Sequence, residues 1–152
     1  SIIEEFTPHY GRWCCGSGKN LTLVHSDFRL DNMLFDRDGT GVTLDWQTFS
    51  SGHPGRDTGL FIGCSLATEI RRQSEKAILA AYHQRMTALG VTNYSFEECF
   101  DDFRWGVFIG LQNVVIGMNA VQSTERGLKM FRQKLAKCCA TIMDHDALQV
   151  LH

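Results

Sequence analysis

Three oxygen-bearing side chains stand out by type and spacing. Asp27 and Asn32 lie in the run His25-Ser26-Asp27-Phe28-Arg29-Leu30-Asp31-Asn32, and Asp45 closes the apolar run GVTLD. Asn32 follows Asp27 by five positions, so one loop can turn both side chains toward a single point. Such a set suits phosphoryl transfer, in which one carboxylate orients and deprotonates a hydroxyl while an amide and a second carboxylate hold Mg²⁺ on nucleotide phosphates. Asp27 is the expected base. It stays outside the metal shell and needs only to be ionised and within hydrogen-bond reach of the acceptor. Asn32 and Asp45 offer hard oxygens to a cation that keeps waters and phosphate oxygens in its shell.

The neighbours take supporting roles. His25 is expected to hydrogen-bond nearby backbone and fix the loop. Arg29 can approach a transferring phosphate and offset its growing charge, although an ion pair with Asp31 accounts for it equally well. Asp31 is assigned to loop structure. Asp57, in GRDTG, is expected to tie its loop and the following helix start to the motif loop, with an exposed carboxylate as the even alternative. Other chemistries lack their residues. The sequence has no G-x-S-x-G, H-E-x-x-H, C-x-x-C, Walker loop or G-x-G-x-x-G.

The elements that must position these residues follow from pattern. LTLVH reads as a strand that ends where the motif begins. NMLFD and GVTLDW read as a hairpin with its turn near Gly39 and Gly41. SIIEEF finishes a helix, and TPHYGRWCCGSGKN and SSGHPGRDTG read as loops. The remainder reads as helical. From Thr68 to Leu89 the residues Ile70, Ile78, Ala81, Tyr82, Met86 and Leu89 recur at helical spacing, with Gly90 as a stop. Ser95 and Glu98 form a capping box for the next helix. That helix runs through Gly106, Gly110 and Gly117, whose small size predicts close approach of a neighbour. Its apolar stretch WGVFIGLQNVVIGMNAV is too short and too interrupted for a membrane span and reads as a buried core helix. The last helix, Thr124 to Met143, places Leu128, Phe131, Leu135, Cys138 and Ile142 on one face. Arg126, Lys129, Arg132, Lys134 and Lys137 are expected on a solvated one. Asp144-His145-Asp146 is expected to be exposed.

The 152 residues allow one domain, and a net charge of −2 gives no sign of a nucleic-acid surface. The six cysteines lie as two adjacent pairs and two singles, and read as reduced packing residues of a cytoplasmic protein. No signal peptide is visible. The chain begins with Ser1, which predicts a processed product or a piece of a longer protein.

H-x-D-x-x-x-x-N followed by a strand ending in Asp45-Trp46 resembles the core of the aminoglycoside phosphotransferase and choline kinase-like superfamily. DWQTFSSGHPGRDTGLFIGCSL resembles the segment after the metal-binding Asp in that group. YHQRMTALGV and YSFEECFDDFRWG are similar to the helical tail of its ecdysteroid-kinase-like branch. Coverage runs from about Leu21 to the last helix, and the two motifs in order are a specific signal. The resemblance implies a mainly helical α+β fold: a protein-kinase-like C-terminal lobe over residues 1–152, with a small β-hairpin carrying the catalytic and metal-binding loops. It implies Asp27 as the base, Asn32 and Asp45 as ligands of Mg²⁺ and ATP, and His25 as the loop histidine. Ser26 stands where small-molecule kinases usually have Gly. No phosphate-covering loop, strand lysine or helix glutamate precedes Leu21, so the expectation is a C-terminal lobe whose N-terminal lobe belongs to a longer chain, or which self-associates. The expected activity is phosphorylation of a small-molecule hydroxyl, without nucleic-acid or membrane partners. The alternatives are a non-catalytic binding or regulatory module and a helical scaffold.

Overall fold

Two short antiparallel strand pairs and a set of helices make up the computed structural model, which describes residues 1–16, 21–120 and 124–152. The fold is α+β and mainly helical. The loop expected over residues 17–20 and the end of the apolar segment at Val121 lie outside the described residues.

The expected hairpin forms between β2 (Met33–Phe35) and β3 (Gly41–Thr43), with Leu34 opposite Val42. Its turn closes through Gly39 N–H to Asp36 O at 3.0 Å, and Gly39 takes φ +85°, a conformation that favours glycine. The first strand, β1 (Thr22–Val24), does not pair with this hairpin. It pairs antiparallel with β4 (Ser50–Gly52), a strand within the segment expected to be loop. Ser and Gly carry little strand propensity, so the pairing is imposed by the partner strand rather than by local sequence.

The expected helix at the start forms as α1 (Ile2–Phe6), but residues 7–15 are helical rather than loop, as a short 3₁₀ turn and α2 (Tyr10–Cys15). The reason is aromatic packing. Phe6 stacks on Phe108 with ring centroids 4.7 Å apart, and buried Trp13 donates Nε1–H to Trp105 O at 2.7 Å. This tertiary burial overrides the Pro and Gly punctuation.

After β4 the chain enters α3 (Gly55–Thr58) and continues as a π-helix, Gly59–Ser65. α4 spans Thr68–Ala88, and α5 spans Phe96–Gly106 with the capping box of Ser95 and Glu98 in place. The predicted single helix through Gly110 is two helices, because the chain turns at Val107 and Phe108 before α6 (Ile109–Ala120). α7 spans Glu125–Asp144. The glycines do permit close approach: a Cβ on Gly106 would strike the backbone of Gly55, and one on Gly117 would meet the Phe131 ring at 2.5 Å. Only the first half of the apolar segment is core. Trp105 to Leu111 pack inside, whereas Val115, Ile116 and Met118 are exposed. No helix among the described residues is long and apolar enough to cross a membrane.

Two other expectations are corrected. The buried stripe of α4 is Arg71, Glu75 and Leu79, while Ile70 is exposed. Periodicity counted over apolar residues alone misses a charged pair inside the stripe. Arg71 bonds Glu75 and Asp144, and His145 Nε2 lies 3.0 Å from Glu75 Oε2, with its ring against Phe100 and Phe103. Asp144 and Asp146 are exposed as expected, but Asp144 and the partly buried His145 also form an ionic joint between α4 and α7. The second correction is that Lys134 and Lys137 are half-buried rather than part of a wholly solvated basic face. The cysteines are free, with Cys64, Cys99 and Cys138 buried and Cys14 and Cys15 exposed.

The joint gives a pH prediction. Hydrogen bonds from Arg72, then Arg71, hold the Asp144 carboxyl down at about 2. A depressed carboxylate contributes stability above its unfolded value of 3.8 and loses that contribution as pH falls through the folded value. Thermal melts should show wild type above Asp144→Asn at pH values over about 4, the gap closing toward about pH 2. A gap independent of pH would exclude the ionic joint.

Candidate functional site

The site begins at the C-terminal end of β1, where buried His25 starts the motif loop. Three bonds fix this turn. His25 N–H and Ser26 N–H donate to the two oxygens of Asp57 at 2.7 and 2.9 Å. Thr48 Oγ1 donates to His25 O at 3.0 Å. The turn requires Ser26 at φ +67°, in the left-handed region, where a Cβ is disfavoured and Gly is the easiest residue. Burial pushes the Asp57 carboxyl up, and the amides of His25 and Ser26 pull it back down.

His25 acts through its ring as well as its backbone. Nδ1 accepts the Asp27 N–H at 3.2 Å and Nε2 lies 2.8 Å from Leu44 O. One nitrogen accepts, so the other carries the proton and donates to the Leu44 carbonyl. The same Leu44 donates its N–H to Asn32 O at 2.8 Å. The motif loop and the end of β3 are thus joined at Leu44, directly before Asp45. The Trp46 ring covers the imidazole at a centroid distance of 4.7 Å.

The three expected functional groups differ in what holds them. Asp27 Oδ2 accepts from Arg29 Nε at 3.0 Å and from Asn32 Nδ2 at 2.9 Å. Its Oδ1 has no hydrogen-bond partner among the described residues. Asn32 is 7% exposed, and Nδ2 also donates to Asp27 O at 2.9 Å, which leaves Oδ1 as an uncommitted acceptor. Asp45 is exposed, sits at φ 62° and ψ 55°, and its carboxylate makes no bond to the described residues. Aspartate tolerates this left-handed geometry better than most residues. Arg29 also bonds Asp31 at 3.0 Å, so it bridges two carboxylates.

Asp27 and Asn32 are therefore in direct contact, and Asp45 is attached next to the residue that binds Asn32. No group of three or more His, Cys, Asp or Glu side chains forms a metal site among the described residues. Asn32 Oδ1 and the Asp45 carboxylate are oxygen acceptors without a protein partner among the described residues. Leu44 and Thr48 were not singled out from sequence. Their contributions are a backbone carbonyl and a hydroxyl, which leave no pattern in residue type. Ser26 left a signal only as a departure from Gly.

A mainly helical α+β scaffold with a polar loop anchored between two strand pairs defines the class. Over residues 5–148 the chain matches the model of the DUF1679 family, described as "Uncharacterized oxidoreductase dhs-27", and it belongs to that family. This family is related to the ecdysteroid kinase-like group. No curated protein and no solved structure matches the chain.

The anchor generates a prediction. Asp57→Ala leaves two backbone donors without acceptors, which should cost about 2 kcal/mol or more in urea unfolding. Amide exchange at His25 and Ser26 should accelerate in the same variant. Unchanged protection at both amides would show that Asp57 does not hold the turn.

Proposed function

We propose that this chain is a kinase-like C-terminal lobe that carries Mg²⁺- and ATP-dependent phosphoryl transfer to a hydroxyl of a small molecule. The observation that carries this reading is the division of labour at Asp27: one oxygen is clamped by Arg29 and Asn32, and the other is left open. A base must be held still and yet have a lone pair to offer. The relation of its family to the ecdysteroid kinase-like group supports the same reading.

Asn32 Oδ1 and the Asp45 carboxylate fit Mg²⁺ chemically, being oxygen donors that no protein group occupies. Bound Mg²⁺-ATP would supply the electrophilic phosphorus and neutralise charge on the departing diphosphate. The chain's own residues do the rest. Asp27 takes the acceptor's proton as the new oxygen–phosphorus bond forms and the bond to the diphosphate breaks. Arg29, held between Asp27 and Asp31, places a guanidinium beside the base, where it offsets negative charge. His25 and Asp57 fix the backbone from which Asp27 projects. Leu34 and Val42, paired and exposed on the hairpin, offer apolar surface to a nucleotide base.

The word "oxidoreductase" in the family description finds no support in these residues. Dinucleotide binding relies on a parallel sheet with a Gly-rich strand-to-helix turn. The described strands pair antiparallel, and the sequence holds no G-x-G-x-x-G.

Calorimetry with Mg²⁺-ATP tests the proposal. Wild type should bind, Asp45→Ala should lose binding, and Asp27→Asn should bind while losing turnover at least about 100-fold on a pooled panel of hydroxyl compounds. Absence of nucleotide binding by wild type would overturn the reading. Binding without turnover in wild type would favour the non-catalytic module.

A further inference from the structure

Beside the motif loop lies a cavity of about 250 Å³ between that loop, the end of the π-helix and α7. Arg29, Asp31, Ser65, Gln133, Lys134 and Lys137 contribute to its wall. None of Asp27, Asn32 and Asp45 lines it, and Asp27 meets it only through its bond to Arg29. The cavity is therefore adjacent to Asp27, through Arg29, but separate from the pair suited to the metal. Under the phosphotransfer reading, it is a place for an acceptor.

Its charge is unbalanced. Arg29 is shared between Asp27 and Asp31. Lys137 donates to a neutral group, the Ser65 carbonyl, at 2.8 Å. Lys134 is half-buried and has no hydrogen bond or ion pair to any described residue. Burial, then the charge of Arg29, pushes its ammonium below the ordinary lysine value, while Asp27 and Asp31 act weakly the other way. An ammonium partly withdrawn from water without a counter-charge is costly, and an anionic ligand would recover that cost.

We propose that this cavity seats the acceptor, and that the acceptor is a small hydroxy acid whose carboxylate is bound by Lys134 while its hydroxyl faces Asp27. The assignment rests on the phosphotransfer reading for the role of the hydroxyl. It rests on the cavity wall alone for the anion. Of the other basic side chains of α7, Arg126, Lys129 and Arg132 are exposed and line no part of the cavity, and Lys137, which does line it, already donates to the Ser65 carbonyl. Lys134 is thus a specificity-determining residue.

The test is a titration of the nitrogen-15-labelled chain with glycolate, lactate and mandelate, each beside its uncharged amide, followed by backbone resonances. The acids should shift resonances of residues 29–31, 64–65 and 130–137, and the amides should not. Lys134→Met should weaken the acids at least about tenfold, as loss of a charge-assisted hydrogen bond does. Lys134→Arg should retain most of the affinity, and thermal melts of both variants should confirm that they fold. Equal binding of acids and amides, or equal binding by Lys134→Met, overturns the proposal. So does binding of inorganic phosphate with the same Lys134 dependence when no hydroxy acid binds. Wild-type calorimetry with Mg²⁺-ATP separates the two readings. Nucleotide binding with no hydroxy-acid binding removes this inference and leaves phosphoryl transfer standing. Lys134-dependent acid binding without nucleotide binding removes phosphoryl transfer, and the acceptor role falls with it.

Discussion

The two hydrogen bonds from consecutive backbone amides to the Asp57 carboxylate are the constraint on which the site depends. They bring the start of the motif loop, at the end of β1, onto the first turn of α3. Without them only the Thr48 bond to His25 O and the contact of the Ser26 and Ser50 hydroxyls would hold Ser26 in a left-handed conformation that its side chain disfavours. With them, Asp27 leaves the turn in a fixed direction, and Arg29 and Asn32 can meet one of its oxygens. Burial disfavours the charged form of Asp57 and holds its carboxyl above the ordinary value, and the amides whose bonds it accepts offset part of that cost. The carboxylate and the turn therefore stabilise each other.

The helical body serves this anchor. Asp57 stands in α3, which leads into the π-helix Gly59–Ser65, and that segment is held from both sides. On one side, α5 approaches so closely that a Cβ on Gly59 or Gly106 would strike backbone. On the other, Thr141 of α7 donates to Gly63 O at 2.9 Å and Lys137 donates to Ser65 O. Gly63 and Ser65 stand in the last turn of the π-helix, where carbonyls lack partners within the helix, and α7 supplies donors to them. The ionic joint of Arg71, Glu75, Asp144 and His145 fixes α7 against α4 at the far end. The position of α7 in turn sets the wall of the cavity beside Arg29.

Much of this was legible in residue order, and the limits have physical reasons. The hairpin, the capped start of α5 and the span of α7 follow from local chemistry: a Gly turn, a Ser–Glu box and an apolar stripe. The contact of Asp27 with Asn32 follows from their spacing along one loop. What was hidden depends on distant partners. The helices before Trp13 exist because Phe6 and Trp13 find Phe108 and Trp105 about a hundred residues on. β4 exists because β1 lies beside it. Arg71 and Glu75 look like surface residues until Asp144 and His145 are folded onto them. Lys134 looks solvated for the same reason, since its neighbours Arg29 and Ser65 come from other elements.

A pattern emerges from which polar atoms are satisfied and which are not. His25, Asp57, Thr48 and Leu44 spend their hydrogen-bonding capacity on one another, as structural groups in a packed loop must. Four other groups keep capacity in reserve: Asp27 Oδ1, Asn32 Oδ1, the Asp45 carboxylate and the Lys134 ammonium. Three are oxygen acceptors on the motif loop and the end of the hairpin. The fourth is a cation on α7, across the cavity wall from Arg29. A loop whose only purpose was stability would gain by pairing such groups, because Asn32 is nearly buried and Lys134 partly so. Their sorting by sign favours two ligands rather than one: a cationic or metal-bound ligand at the acceptors, and an anionic one at the lysine. Asp27 belongs to the acceptor set, and its bond to Arg29 joins that set to the wall of the cavity that Lys134 lines.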